Sequence, residues 1–168
     1  LKQKLKNSSY ADSRELIKTN NHFGKAAVNF DKTNLLIADF FASNENQVVI
    51  MPGFIASSVD GINTTLGRGG SDYTAAILAG ALNTSDLEIW TDVSGMMTAD
   101  PRMVQNAKEI PQISYQEAME LSHFGAKVIY PPTLQPVMQQ NIPVWIKNTF
   151  EPTHPGTIIM NESPNDGS

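Results

Sequence analysis

The segment Ser71–Leu82 sets Ala75, Ala76, Ile77, Leu78, Ala79, Ala81 and Leu82 on nearly every side of a helix. A helix apolar all round has to be buried between layers, so the rest of the chain must supply those layers. Gln47–Met51, closed by Pro52-Gly53, suits a buried strand. Asp86–Thr91, Pro143–Lys147 and Thr157–Met160 read as further strands, and Tyr10–Ile17 as a short strand running into a helical turn. Helices are predicted over Lys32–Phe41 with Asp31 as cap, and from the Ser114-x-x-Glu117 capping box to about Ser122, where Gly125 stops the helix. Another is predicted over Thr133–Gln140, after Pro131-Pro132 and with Pro136 in its first turn. Asp60-Gly61 marks a hairpin turn within Phe54–Leu66. Thr19–Asn29 and Asp92–Arg102 read as loops. Strands and helices alternate, and the strands are continuously apolar. That predicts an α/β fold, with an open, mostly parallel sheet covered by helices on both faces.

Such sheets bind ligands at the carboxyl ends of their strands, and the chain's most unusual loops fall there. Gly67-Arg68-Gly69-Gly70-Ser71-Asp72 feeds the buried helix. A glycine-rich turn at a helix start turns backbone N–H groups and the positive end of the helix toward an anion. Arg68 adds a planar fork suited to a carboxylate or phosphate, and Asp72 a carboxylate in the first turn. Trp90-Thr91-Asp92-Val93-Ser94-Gly95-Met96-Met97-Thr98-Ala99-Asp100-Pro101-Arg102 combines a strand exit, acids, hydroxyls and an arginine. Those are the parts a nucleotide site needs. Phe124-Gly125-Ala126-Lys127-Val128 places a lysine just after a helix-ending glycine. Taken singly, each has a plainer reading: a surface turn, a long turn cornered by Asp100-Pro101, a solvated lysine.

Composition narrows the partners. Twelve basic against 17 acidic residues give a net charge of −5, which argues against nucleic acid as the main partner. The absence of cysteine removes disulfides and thiolate metal sites. No apolar run approaches the roughly 20 residues of a membrane span and no signal peptide is visible, so a cytoplasmic location is expected. His22, His123 and His154 share no metal-ligand spacing. Asp12 and Arg14 have two readings, a lining of the substrate side or a local salt bridge.

In this order and spacing, the three segments resemble the aspartokinases, within the amino-acid kinase family. The matching words are Thr65–Ala76, Trp90-Thr91-Asp92-Val93-x-Gly95, Thr98-x-Asp100-Pro101-Arg102 and Phe124–Val128, and the resemblance runs from about Tyr10 to about Ile159. Ser114–Leu121 looks most like the kinase part of bifunctional aspartokinase–homoserine dehydrogenases. The resemblance implies transfer of the ATP γ-phosphoryl group to the side-chain carboxylate of L-aspartate, with Mg²⁺ bridging the phosphates. The product, 4-phospho-L-aspartate, leads to lysine, threonine and methionine. It further implies that Arg68 clamps a substrate carboxylate, with Gly69 and Ser71 completing the substrate-binding turn. Asp72 would organise the active-site lysines. Thr91, Asp92, Met97, Arg102, Lys127 and Val128 would contact the nucleotide, and Lys127 would also neutralise the transferring phosphoryl group. Relatives usually dimerise.

Two departures qualify this. Many relatives carry tyrosine where Met97 stands, so an aromatic stack or hydroxyl contact is lost there. The family's Lys-Phe-Gly-Gly-Thr-Ser word and mid-domain glutamate are not within this sequence. Residues 1–160 are therefore expected to be the C-terminal, nucleotide-binding portion of a kinase domain, with 161–168 a frayed tail, and the portion alone is expected to be inactive. Two other readings stay open: another acyl-phosphate-forming kinase of the family, acting for instance on glutamate, or a non-catalytic nucleotide-binding or assembly module.

Overall fold

A computed structural model describes residues 7–24, 26–45, 48–100, 102–124 and 128–161. The chain divides into two compact units, residues 1–82 and 83–168. None of the described helices is long and apolar enough to cross a membrane.

The first unit runs β1 (Ser8–Tyr10), α1 (Ser13–Leu16), β2 (Lys18–Thr19), α2 (Phe30–Ser43), β3 (Val48–Ile50), β4 (Ile55–Ser58), β5 (Asn63–Thr65) and α3 (Gly70–Leu82). β1 lies parallel to β3, with Ser8 opposite Val48, and β2 lies parallel to β4. The predicted hairpin forms between β4 and β5, with Ile55 opposite Thr65. Gly61 takes the positive φ (+82°) that its turn demands.

Asn29, not Asp31, caps α2: its Oδ1 accepts the Lys32 N–H at 3.1 Å. Asp31 falls in the first turn, where its charge meets the positive end of the helix. Of the two readings of Asp12 and Arg14, the structure shows the salt bridge. Asp12 caps α1 and its carboxylate is forked by Arg14, with Nε 3.0 Å from Oδ1. Those hydrogen bonds hold the Asp12 carboxyl down at about 2. The strand ending at Ile50 is less buried than expected, with Val48 37% exposed, because β1 is its only strand partner among the described residues. α3 is enclosed as its pattern requires: every residue from Asp72 to Leu82 is buried or half-buried. Ile77 of α3 joins Ile17, Ile37 and Ala56 in one apolar cluster.

The second unit runs β6 (Leu87–Thr91), β7 (Met96–Met97), β8 (Glu109–Ile110), β9 (Gln112–Ser114), α4 (Tyr115–Phe124), a 3₁₀ turn at Pro131–Leu134, α5 (Gln135–Met138), β10 (Val144–Asn148) and β11 (Thr157–Met160). Its four-stranded sheet has the order β6-β10-β11-β9. β6–β10 and β9–β11 pair in parallel, and β10–β11 is antiparallel. The sheets are thus open and mixed, with parallel pairings in the majority among the described strands. Val144, Ile146 and Asn148 alternate inward along β10. The capping box forms in both directions: the Ser114 N–H donates to Glu117 Oε2 (2.9 Å) and the Glu117 N–H to Ser114 Oγ (3.2 Å). Gly125, the predicted helix stop, lies outside the described residues. The helix predicted over Thr133–Gln140 is split into the 3₁₀ turn and the four residues of α5. Prolines 131 and 132 start it early, and Pro136 withholds an N–H from the ladder.

Candidate functional site

In the first unit, the turn before α3 is built by two glycines in left-handed backbone, Gly67 (φ +76°) and Gly69 (φ +67°). They let the chain reverse and enter the helix at once. The Gly70 N–H bonds the Gly67 carbonyl (3.1 Å), and the first i→i−4 bond joins the Tyr73 N–H to the Gly69 carbonyl (2.9 Å). The N–H groups of Ser71 and Asp72 are left without an intrahelical acceptor, at the positive end of the helix. Arg68 is exposed at the tip and makes no hydrogen bond or ion pair among the described residues. Its fork is available to a ligand. Ser71 Oγ donates weakly to Asp72 Oδ1 (3.4 Å).

Burial raises the Asp72 carboxyl above its ordinary value, and the Ser71 bond only partly opposes this. A carboxyl raised in the fold destabilises the native state above its unfolded value, because there the unfolded chain gives up the proton more readily. Asp72→Asn should therefore raise the melting temperature at pH 7 by about 1–3 °C. The gain should vanish as pH falls below the carboxylate range, where Asp72 is neutral in both states. Melts at pH 7 and pH 3 test this, and a lower melting temperature at pH 7 contradicts it.

Support for this turn comes from residues that sequence reasoning does not single out. Pro52-Gly53-Phe54 reads locally only as the end of a strand. Gly53 lies against the start of α3, where a Cβ would come 2.8 Å from Ser71 Cα. Phe54 has a positive φ of 75°, rare for a bulky residue. Its N–H lies 3.2 Å from the Gly70 carbonyl and 3.0 Å from Thr74 Oγ1. The glycine at 53 is visible as a signal; the non-local contact is not.

In the second unit, Thr91 ends β6, and Asp92 follows it, exposed. Thr91 Oγ1 donates to Asp92 Oδ1 (3.1 Å), and the Thr91 carbonyl accepts the Thr149 N–H (2.8 Å). The segment expected to be a loop contains β7, where Met97 pairs opposite Glu109 of β8. Met97 is half-buried. Arg102 forks Asp100, with Nε–Oδ1 at 3.0 Å and Nη2–Oδ2 at 2.8 Å. These bonds pull the Asp100 carboxyl down to about 2. The Arg102 side chain is 88% exposed, so this pairing can be exchanged for another anion at little cost. Val128 is half-buried in a turn; Lys127 lies outside the described residues. Among the described residues, no three His, Asp or Glu side chains gather to hold a metal.

Residues 2–148 match the Amino acid kinase family. The chain is 43% identical over 166 residues to lysine-sensitive aspartokinase 3 of Escherichia coli, covering 98% of this chain and 37% of that one. It is 56% identical over 115 residues to the bifunctional aspartokinase/homoserine dehydrogenase of Haemophilus influenzae, covering 68% and 14%. The fold superposes on E. coli aspartokinase III, solved in complex with aspartate and ADP, with a TM-score of 0.89 at 42% identity over 97% of this chain and 36% of that one. UMP kinase from Bacillus anthracis shares the fold at 19% identity and a TM-score of 0.56, covering 77% and 52%. The chain thus spans little more than a third of the first of these relatives, and its homology to aspartokinases runs through both loop systems described above. With 147 consecutive residues matched (2 through 148), the chain belongs to the amino acid kinase family.

Proposed function

We propose that this chain is the nucleotide-binding portion of an aspartate kinase, transferring the γ-phosphoryl group of ATP to the side-chain carboxylate of L-aspartate. The observation that carries this reading is Arg68: an exposed guanidinium with no partner among the described residues, held on a turn of two left-handed glycines at the start of a buried helix. Such a fork meets a carboxylate with two parallel hydrogen bonds. The acceptor is already an anion, so no base has to remove a proton. A carboxylate oxygen attacks the γ-phosphorus, and the bond to the ADP oxygen breaks. Asp72, half-buried beside the turn, organises the cationic groups around the acceptor, and Lys127 neutralises charge on the transferring phosphoryl group. Thr91, Asp92, Met97, Arg102 and Val128 contact the nucleotide. Catalysis of this type rests on positioning and charge stabilisation. Mg²⁺ would be held chiefly by the nucleotide's own phosphates.

Titration of the chain with ADP by calorimetry tests the nucleotide half, and saturable binding is expected. The substrate half is tested in the kinase that carries this segment, by ADP release with aspartate and with glutamate. Aspartate is expected to be the better acceptor, and preference for glutamate would replace this reading with that of a glutamate-directed kinase.

A further inference from the structure

Thr91 and the loop after it rest on the turn joining β10 to β11, and the contacts are specific. Gly95 has no room for a side chain on the side that faces Thr157 and Gly156. A Cβ on Gly95 (φ +136°) would come 2.5 Å from Thr157 Oγ1 and 3.3 Å from Gly156 C. Thr157, 1% exposed, spends its hydroxyl twice: Oγ1 accepts the Met96 N–H (2.8 Å) and donates to the Ile110 carbonyl (2.6 Å). One side chain on β11 thereby holds both β7 and β8. Asn148, 6% exposed at the end of β10, stands opposite Thr91 in the sheet. Its Nδ2 donates to Ser94 Oγ (2.9 Å), while its Oδ1 accepts the Phe150 N–H (2.9 Å). Ser94 Oγ passes the chain on to Glu151 Oε2 (3.3 Å). His154, in the same turn, accepts the Gly156 N–H on Nδ1 (3.1 Å) and faces Glu109 of β8 through Nε2 (3.3 Å).

Four of these contacts reach the Asp92–Met97 segment, through Gly95, Met96 and Ser94 twice; two hold β8 beside it, and two brace the turn itself. A two-residue strand such as β7 has little stability of its own, so its position is set by what it is tied to. Buried hydrogen bonds of this kind are expensive to break, because each orphaned partner loses its solvation as well.

We infer that Thr157 and Asn148 are positioning residues for the nucleotide: they do not touch it, but fix the backbone from Asp92 to Met97 in the geometry that receives it. This inference rests on the nucleotide reading above. It assigns the β10–β11 turn a role in substrate affinity beyond closing the sheet.

Thr157→Val tests it, since valine keeps the shape of threonine and loses both hydrogen bonds. The dissociation constant for ADP, measured by calorimetry on the folded chain well below its melting temperature, is expected to rise about tenfold. Thr157→Ser, which keeps the hydroxyl, is expected to restore it to within about twofold. Ser94→Ala, which breaks the Asn148 link from the loop side without disturbing the sheet, is expected to weaken ADP binding severalfold and serves if the Thr157→Val protein does not fold. In the kinase that carries this segment, the same substitutions should raise KM for ATP and leave KM for aspartate unchanged. A role in stability alone would lower the melting temperature and leave the ADP affinity of the folded protein intact, and that result overturns the inference. If the unsubstituted chain binds no ADP, the nucleotide reading falls first and takes this one with it.

Discussion

Gly156→Ala should leave residues 83–168 unfolded under conditions where the parent chain is native. Gly156 has φ +77°, and a Cβ there would overlap the Ile146 carbonyl oxygen and come 3.1 Å from the Ile146 carbonyl carbon. Neither atom can move away cheaply. Ile146 is fully buried on β10, paired with Ile89 of β6 on one side and Thr157 of β11 on the other. Relief would have to break one of those registers. Left-handed strain and a backbone clash act together, so a loss on the order of 4–5 kcal/mol is expected, comparable to the whole stability of many domains. Both tryptophans of the chain, Trp90 and Trp145, lie in this unit. Trp90 donates from Nε1 to Glu88 (3.0 Å), and Lys147 lies 5.3 Å and 5.7 Å from the Trp90 and Trp145 ring centroids. Tryptophan emission therefore reports the unfolding of residues 83–168 alone. A Gly156→Ala protein melting within about 5 °C of the parent would show that the turn yields where the geometry says it cannot.

Arg68→Ala should do the reverse, cutting activity sharply with little effect on folding. The side chain is exposed and has no partner among the described residues, so its removal should stay within about 0.5 kcal/mol of neutral and move the melting temperature by no more than about 2 °C. On the function proposed above, Arg68→Ala removes a two-pronged hold on the substrate carboxylate and should lower kcat/KM for aspartate by about 10²–10³-fold, in the kinase that carries this segment. Arg68→Lys should recover little, because a point charge cannot reproduce the fork. Unchanged aspartate kinetics would remove Arg68 from the site, and a large fall in melting temperature would assign it to the fold instead.

What can be read from the sequence is whatever local chemistry decides. The Ser114–Glu117 capping box, the Asp60-Gly61 turn and the bounds of β11 are each set by residues within a few positions of one another. The enclosure of α3 follows from its own apolar girdle. What escapes depends on distant partners. β2 and β7 are two residues long and exist only because β4 and β8 pair with them. Val48 belongs to an apolar run, yet no periodicity tells which strands will cover it. Asn29 and Asp31 are both good caps, and the choice between them turns on where Lys18 holds the preceding chain: its carbonyl accepts the Asn29 N–H at 2.8 Å. At the site, Gly67 and Gly69 announce a left-handed turn. Phe54, strained beside it, carries no local signal, because aromatic residues are ordinary at strand boundaries. Thr157 and Asn148 look like ordinary strand residues until the loop they hold comes into view.

The close packing around Gly95 and around Gly156 also limits how this region can vary over evolution or in the laboratory. Gly95 has no room for a side chain against Thr157, and Gly156 has none against Ile146, so no single substitution at either leads smoothly to a new loop shape. On the nucleotide reading proposed above, variation in preference should instead accumulate at neighbours with room to change, such as half-buried Met97 and exposed Thr98. A randomised library meant to retune that preference would do best to hold both glycines constant and diversify those two codons.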